Sequence, residues 1–340
     1  MKETTQNKIN GLKQMIGNTP LLQIDFEYKG TRRKIYAKAE YMNLTGSIKD
    51  RMALHILSKA YENGHLKEGY LIAEATSGNT GIAFSAVGSA LGHEVKIFMP
   101  NWMSSERINL IKSFGADIHL VSKEEGGFLG SIKMADDMKA ENDQVFLPHQ
   151  FSNDDNPGAH YLTTGPEIWE QMKSVGAEPD AVVAGVGTGG TIMGIGRYLK
   201  EQKTDVKLYP MEPESSPTMS TGYQVGAHRI QGISDEFIPE IVKLDQLDDI
   251  IKVDDGDGIV MAQMLSQELG LGVGISSGAN FIAALKAQEL LGGEANVVTL
   301  FSDDSKKYLS TDLMRNEPIK DTFLSSNVKL KGVKAIERIR

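Results

Sequence analysis

The chain has 340 residues, 24% of them charged, with a formal net charge of −9 and no cysteine. That length supports two domains and a substantial buried core, and the acidic balance argues against broad nucleic-acid or anionic-membrane binding. Without thiols, disulfides, thiolate–zinc sites, thiolate haem ligation and a cysteine nucleophile are all excluded.

The opening Met1-Lys2-Glu3-Thr4-Thr5-Gln6-Asn7 is polar and lacks the apolar run of a secretory signal. No stretch approaches the ~20 apolar residues that span a bilayer. A soluble cytoplasmic protein is the expectation. None of the 7 histidines falls in an HExxH pattern, so no catalytic metal is expected.

Short β-rich runs then alternate with helical patterns. Lys34–Tyr41 reads as a strand and Ile48–Tyr61 as a helix; Leu71–Thr76 as a strand and Thr80–Leu91 as a small-residue helix. Glu94–Pro100 and Ala116–Val121 read as strands around a helix at Ser104–Phe114. Phe128–Asn142 reads as a helix, and Gln144–Pro148 closes this first group. After the polar, turn-rich Ser152–Gly158 come buried strands at Ala181–Val186 and Val206–Met211, flanking a helix that starts near Thr191. Helical patterns follow at Gly256–Leu269 and Ala279–Leu291, and Asn296–Phe301 is the last strong strand. The tail Asn327–Arg340 reads as an edge strand or a solvated end.

This alternation predicts an α/β fold of two domains, each with a mostly parallel, helix-covered sheet. The boundaries are 1–150, 151–315 and a tail at 316–340, with roughly the first 40 residues also able to pack on the second domain. Ligands of such sheets bind in loops beyond the carboxyl ends of the strands.

Three loops have the chemistry to do so. Asn43-Leu44-Thr45-Gly46-Ser47-Ile48-Lys49 puts a lysine in the first turn of a helix. The macrodipole there disfavours a fixed cation and favours a neutral, nucleophilic amine. Glu74-Ala75-Thr76-Ser77-Gly78-Asn79-Thr80-Gly81 offers N–H groups and hydroxyls suited to a carboxylate, unless Ser77 or Asn79 merely caps the helix. Gly185-Val186-Gly187-Thr188-Gly189-Gly190-Thr191 follows an apolar strand and opens a helix, an arrangement that suits a phosphate. Gly185, Gly187 and Gly190 fall at GxGxxG spacing, but that motif alone is weak, and a dinucleotide is the weaker reading.

In this order the three loops resemble the cysteine synthase and cystathionine β-synthase family, pyridoxal-phosphate enzymes of the tryptophan-synthase-β-like fold. The resemblance runs from Ile16-Gly17-Asn18-Thr19-Pro20-Leu21 to Tyr308-Leu309-Ser310-Thr311. It passes through Met103–Arg107, Gln150–Asn153, Asn156-Pro157 and Thr164–Trp169. It implies that Lys49 holds pyridoxal 5'-phosphate as a Schiff base and shuttles the α-proton. It implies Asn79 beside the cofactor's ring oxygen, and Thr76, Ser77, Gly78, Thr80 and Gln150 around the substrate carboxylate. Gly187, Thr188, Gly189, Gly190 and Thr191 are then the phosphate cradle. Ser277 lies in a family motif, and capping of the next helix explains it as well.

Two positions depart from the common pattern. Asp303 stands where the family usually has the Ser that faces the pyridine nitrogen, and Asp304 follows it. An acid there favours a protonated ring nitrogen. Asp235 lies in Gly232–Pro239, a loop that carries small residues in common cysteine synthases. It is either a determinant of the acceptor nucleophile or a solvated loop residue.

The implied chemistry is β-replacement on a serine- or cysteine-derived amino acid through an aminoacrylate, with cysteine synthesis from O-acetylserine and sulfide as the first reading. Open beside it are cysteine degradation with sulfide release, forming serine or lanthionine, and cystathionine formation. A catalytically silent binding relative is argued against by Lys49 and the complete phosphate loop. The expected partners are a small-molecule amino acid and a second copy of the chain in a homodimer.

Overall fold

The computed structural model describes residues 2–223, 226–234 and 236–338, and these fold around two sheets. In chain order the strands are β1 (Leu21–Tyr28), β2 (Thr31–Lys38), β3 (Leu71–Ala75), β4 (Val95–Pro100), β5 (Asp117–Val121) and β6 (Val145–Phe146). Then come β7 (Ala181–Gly185), β8 (Lys207–Pro213), β9 (Ile251–Val253), β10 (Val297–Leu300) and β11 (Val328–Ile336). The smaller sheet runs β5-β4-β3-β6 and is parallel throughout. The larger runs β11-β1-β2-β10-β7-β8-β9, parallel from β2 to β9 and antiparallel across β11, β1 and β2.

The parallel strands are short apolar runs because both faces are covered. In β7, Ala181 and Val183 face one core while Val182 and Ala184 face another. On the first side lie the helices Asp255–Leu269 and Ile275–Leu290; on the other lie Gly165–Ser174 and Gly190–Gln202. The smaller sheet is packed by the helices Lys49–Glu62 and Asn79–Leu91 through Leu57, Ile82, Phe84 and Val87. Each such fully buried side chain contributes roughly 1.5–3 kcal/mol.

The β1–β2 hairpin has a local cause. Lys29 and Gly30 both take positive φ, 50° and 82°, which suits a two-residue turn matched to strand twist. Leu22, Ile24, Phe26 and Tyr28 alternate into the core, with Phe26 edge-on to Phe281 at 5.2 Å.

Several expectations need correction. The strand expected at Lys34–Tyr41 ends at Lys38, because Glu40–Met42 forms a 3-10 turn and Tyr41 N donates to Phe301 O. Gln144–Pro148 contracts to β6, and the helix expected from Ala279 already begins at Ile275. The tail is the edge strand β11, paired with β1. The helices Glu3–Lys13 and Gly165–Ser174 and the strands β1 and β9 are additions.

Candidate active site

Loops at the carboxyl ends of β3, β7 and β10 meet the start of the helix Lys49–Glu62 around a cleft of about 730 Å³, open in part to solvent. Its wall includes Lys49, Thr76, Ser77, Asn79, Thr80, Gln150, Gly187, Thr188 and Thr191. Residues from three separate sequence loops thus share one cavity.

Lys49 is the first residue of its helix, and its backbone N–H reaches Ser47 Oγ at 3.3 Å. The next two residues hold that turn in place. Asp50 is buried and accepts from Thr45 N at 2.6 Å and Thr45 Oγ1 at 2.5 Å; burial pushes its pKa up to about 6. Arg51 points away from the cleft into a buried ion network. It makes paired bonds to Glu40 (2.6 and 2.8 Å) and to Glu167 (2.7 Å each), and Lys38 joins Glu167 at 2.7 Å. Burial brings the Lys38 ammonium down to about 8, with Glu167 opposing the shift. Two carboxylates and two cations therefore anchor the helix start to the Gly165–Ser174 helix.

At the end of β3 the chain turns into the helix Asn79–Leu91 with Gly78 as its N-cap and no side-chain cap. Neither Ser77 nor Asn79 caps the helix. Ser77 lies on the cleft wall, and Gly78 N donates to Thr76 Oγ1 at 3.0 Å. Thr80 Oγ1 donates to Gln150 Oε1 at 2.7 Å, and Gln150 Nε2 donates to Ala75 O at 2.8 Å. Beneath them Glu74 accepts from Ala75 N at 3.0 Å and Gln150 N at 3.3 Å. Burial raises its carboxyl to about 8, so it stays uncharged at neutral pH.

The third loop ends β7 and opens the helix Gly190–Gln202, whose first N–H groups have no partner within the helix. Gly189 adopts φ +85°, and a Cβ on Gly190 would lie 2.0 Å from Asn156 Oδ1. Asn156 Nδ2 donates both to Thr188 Oγ1 (2.9 Å) and to Gln150 O (2.8 Å), tying this loop to the carboxylate side. Behind Thr191, His160 Nε2 approaches its hydroxyl at 3.4 Å; burial drives that imidazole down to about 3, so it is neutral.

The adjacent aspartates diverge. Asp303 is fully buried and accepts from Asn79 Nδ2 and Tyr308 OH at Oδ2, both at 2.7 Å. Asp304 caps Lys306 N at 3.0 Å and lies 3.6 Å from Lys307 Nζ. Asn79 Oδ1 and Asp303 Oδ1 are buried without a hydrogen-bond partner among the described residues. An amine at a helix start, a glycine-rich helix N-terminus and two orphaned acceptors, one on a residue of the wall and one behind it, fit pyridoxal phosphate. Lys49 would hold its aldehyde carbon, the Gly187–Thr191 loop its phosphate, and Asp303 its ring nitrogen.

Gly78, Gly189, Gly190 and Asp303 are outside the cleft wall itself, and Asp235 lies outside the described residues. Ser277 does not cap its helix, whose N-cap is Gly274; its Oγ accepts from Ser302 N at 3.0 Å. Arg107, Phe151, Gln231, Ser276 and Ser302, to which the sequence alone gave no role, are also part of the wall. Arg107 and Phe151 sit in family-like motifs, a signal that could have found them. Gln231 carried no such signal.

Residues 12–303 match the family model described as pyridoxal-phosphate dependent enzyme. A cysteine synthase of Staphylococcus aureus is 40% identical over 91% of this chain and 98% of its own length. A crystal structure of a hydrogen sulfide-producing enzyme from Fusobacterium nucleatum is 58% identical, covering 98% of this chain and 100% of that one, with a TM-score of 0.96. An aspartate-to-asparagine mutant of a hydrogen sulfide-producing enzyme, 57% identical with a TM-score of 0.94 over 97% of this chain and 99% of that one, has been crystallised with an α-aminoacrylate intermediate. The O-acetylserine dependent cystathionine β-synthase of Helicobacter pylori is 34% identical over 88% of this chain and 97% of that one, with a TM-score of 0.80. This chain belongs to the pyridoxal-phosphate dependent enzymes, in the branch of cysteine synthase and its relatives, and pyridoxal phosphate is its cofactor.

Proposed function

We propose that the protein catalyses β-replacement on cysteine, releasing sulfide and forming serine with water or lanthionine with a second cysteine. The balance is cysteine plus water to serine plus hydrogen sulfide, or two cysteines to lanthionine plus hydrogen sulfide. The motifs alone put cysteine synthesis first. The 58% identity to a hydrogen sulfide-producing enzyme reverses that order. A buried carboxylate at position 303, where the common pattern has serine, supports the same choice. Cysteine synthesis from O-acetylserine and sulfide is the second reading, favoured by the 40% identity to a cysteine synthase.

Pyridoxal phosphate, when bound, supplies an electron sink for the pair left at the substrate α-carbon. The chain's residues do the rest. The N–H groups and hydroxyls of Thr76, Ser77, Gly78 and Thr80, with Gln150, orient the substrate carboxylate. Lys49 Nζ takes the proton from the α-carbon and can return it there after replacement. Asp303 holds positive charge at the far end of the site. The uncharged Glu74 supports Gln150 without adding a second negative charge near that carboxylate. Asp235 is assigned to the acceptor side, where a carboxylate disfavours hydrosulfide and can orient water or an ammonium group. A homodimer in the cytoplasm is the expected assembly and setting.

The deciding experiment supplies the holoenzyme with cysteine alone, and separately with O-acetylserine plus sulfide, and identifies products by mass spectrometry. Sulfide with serine or lanthionine from cysteine alone is the expected result. No sulfide from cysteine, with rapid cysteine formation in the second assay, would overturn it in favour of cysteine synthesis.

A further inference from the structure

Arg107 comes from the helix Ser105–Ser113, is buried, and lines the cleft. Its stem passes against Gly78: a Cβ there would sit 2.4 Å from Arg107 Cδ and Nε. The guanidinium lies over the Tyr308 ring at 4.7 Å. Its Nη1 donates to Gln231 Oε1 and, at 3.3 Å, to Ser104 Oγ. An amide, a hydroxyl and a π face therefore hold this cation.

The opposite edge of the Tyr308 ring is equally confined. A Cβ on Gly274 would lie 2.6 Å from Tyr308 Cε2 and 2.1 Å from Asp303 Oδ1. The ring thus sits between a cation on its face and glycine backbone at its edge. From there its hydroxyl donates to Asp303 Oδ2, the oxygen that also receives Asn79 Nδ2. With Oδ2 doubly engaged, Oδ1 is the oxygen without a hydrogen-bond partner among the described residues.

We propose that Arg107 is a positioning residue coupling the mouth of the cleft to Asp303: Gln231 holds the guanidinium, the guanidinium holds the Tyr308 ring, and Tyr308 aims the carboxylate. The inference rests on the assignment of Asp303 to the cofactor's ring nitrogen. It gives Arg107 and Tyr308 no contact with the reacting atoms. A shift of Gln231, which is half-buried at the mouth beside Gly232 and Ile233, reaches the electron-sink end of the site through two side chains.

The test is a double-mutant cycle with Arg107→Met and Tyr308→Phe, read as the dissociation constant for pyridoxal phosphate on titrating it into apoenzyme. Tyr308→Phe removes one bond to a carboxylate and is expected to weaken binding about tenfold. Arg107→Met is expected to weaken it about fivefold in the native background and less than about twofold beside Tyr308→Phe, because both act on one carboxylate. Arg107→Lys, which keeps the charge, is expected to recover part of the affinity. If Arg107→Met does not fold, Gln231→Ala replaces it in the same cycle with the same expected non-additivity. Independent, multiplying effects would overturn the coupling, since a merely structural arginine lowers affinity alike in both backgrounds. Asp303→Asn separates the two levels. If it changes neither cofactor affinity nor α-proton exchange, the Asp303 assignment fails, and the coupling with it; if it changes them while the cycle is additive, only the coupling fails.

Discussion

Ser47 and Asp303 meet in an isolated antiparallel bridge, although they stand at opposite ends of the sequence. Around it Ile48 N donates to Ser302 O at 2.8 Å, Asp304 N to Gly46 O at 3.1 Å, and buried Lys307 Nζ to Gly46 O at 2.6 Å. The loop that carries Lys49 and the segment that carries Asp303 are therefore one rigid piece. The two groups proposed to hold different atoms of the cofactor are thus carried on segments joined directly to each other.

Lys49→Ala is expected to lower turnover by about three orders of magnitude or more, since among the described residues Lys49 is the only lysine on the cleft wall. Borohydride reduction of the native holoenzyme followed by peptide mapping should find the cofactor on Lys49. Its recovery on another lysine would end the assignment.

Gly189→Asp combines a residue at φ +85° with a carboxylate brought to the phosphate loop. The backbone strain alone costs about 1–2 kcal/mol, so cofactor affinity is expected to fall about tenfold or more. Titration of folded variant checks this, with circular dichroism to establish the fold.

Glu74 links stability to pH. Its carboxyl is raised from 4.5 to about 8 by burial, so between those values the folded state binds the proton that the unfolded state has lost. Stability from this group is full below pH 4.5 and declines as pH rises toward about 8. Glu74→Gln is expected to flatten that slope, whatever it does to the absolute level. Melting temperatures across this range, native against variant, measure the difference; an unchanged slope refutes it.

Arg51→Met leaves Glu40 and Glu167 with Lys38 alone of the two network cations. The expected cost is about 3–5 kcal/mol, read as a lower urea midpoint. Pairing it with Glu40→Gln should recover part of the loss, which a simple packing defect would not allow.

Asp235→Ala and Asp235→Asn, assayed on cysteine alone and on O-acetylserine with sulfide, are expected to shift the product ratio at constant cofactor loading. If every product falls together, Asp235 has no part in choosing the acceptor.

The alternating pattern was readable because parallel strands buried on both faces leave short apolar runs such as Ala181–Val186. The three loops were readable because a lysine at a helix start and glycine-rich turns into helices suited to anions are local features of the chain. β1 also carried its signal, since Leu22, Ile24, Phe26 and Tyr28 alternate cleanly. The helix Glu3–Lys13 buries little beyond Ile9 and Leu12, too thin a stripe to stand out. The Asn79–Asp303–Tyr308 cluster and the contact of Arg107 with Gln231 join distant segments, and no local periodicity encodes them. Ser277 looked like a cap because serine near a helix start usually is one; Gly274 took that place instead.

The pairing of β11 with β1 also bears on how the chain is made. Leu21 and Ile336 are register partners, so a strand that leaves the ribosome early acquires this neighbour only after all the other strands of both sheets have been made. β2 likewise waits for β10. The smaller sheet has all its strands between β3 and β6 and can assemble while the rest is still being translated. Until β10 has been made, the β1–β2 hairpin presents two unpaired edges to its surroundings. Such separated pairings slow the final closure, which makes the nascent larger sheet the part of this protein most exposed to misassembly.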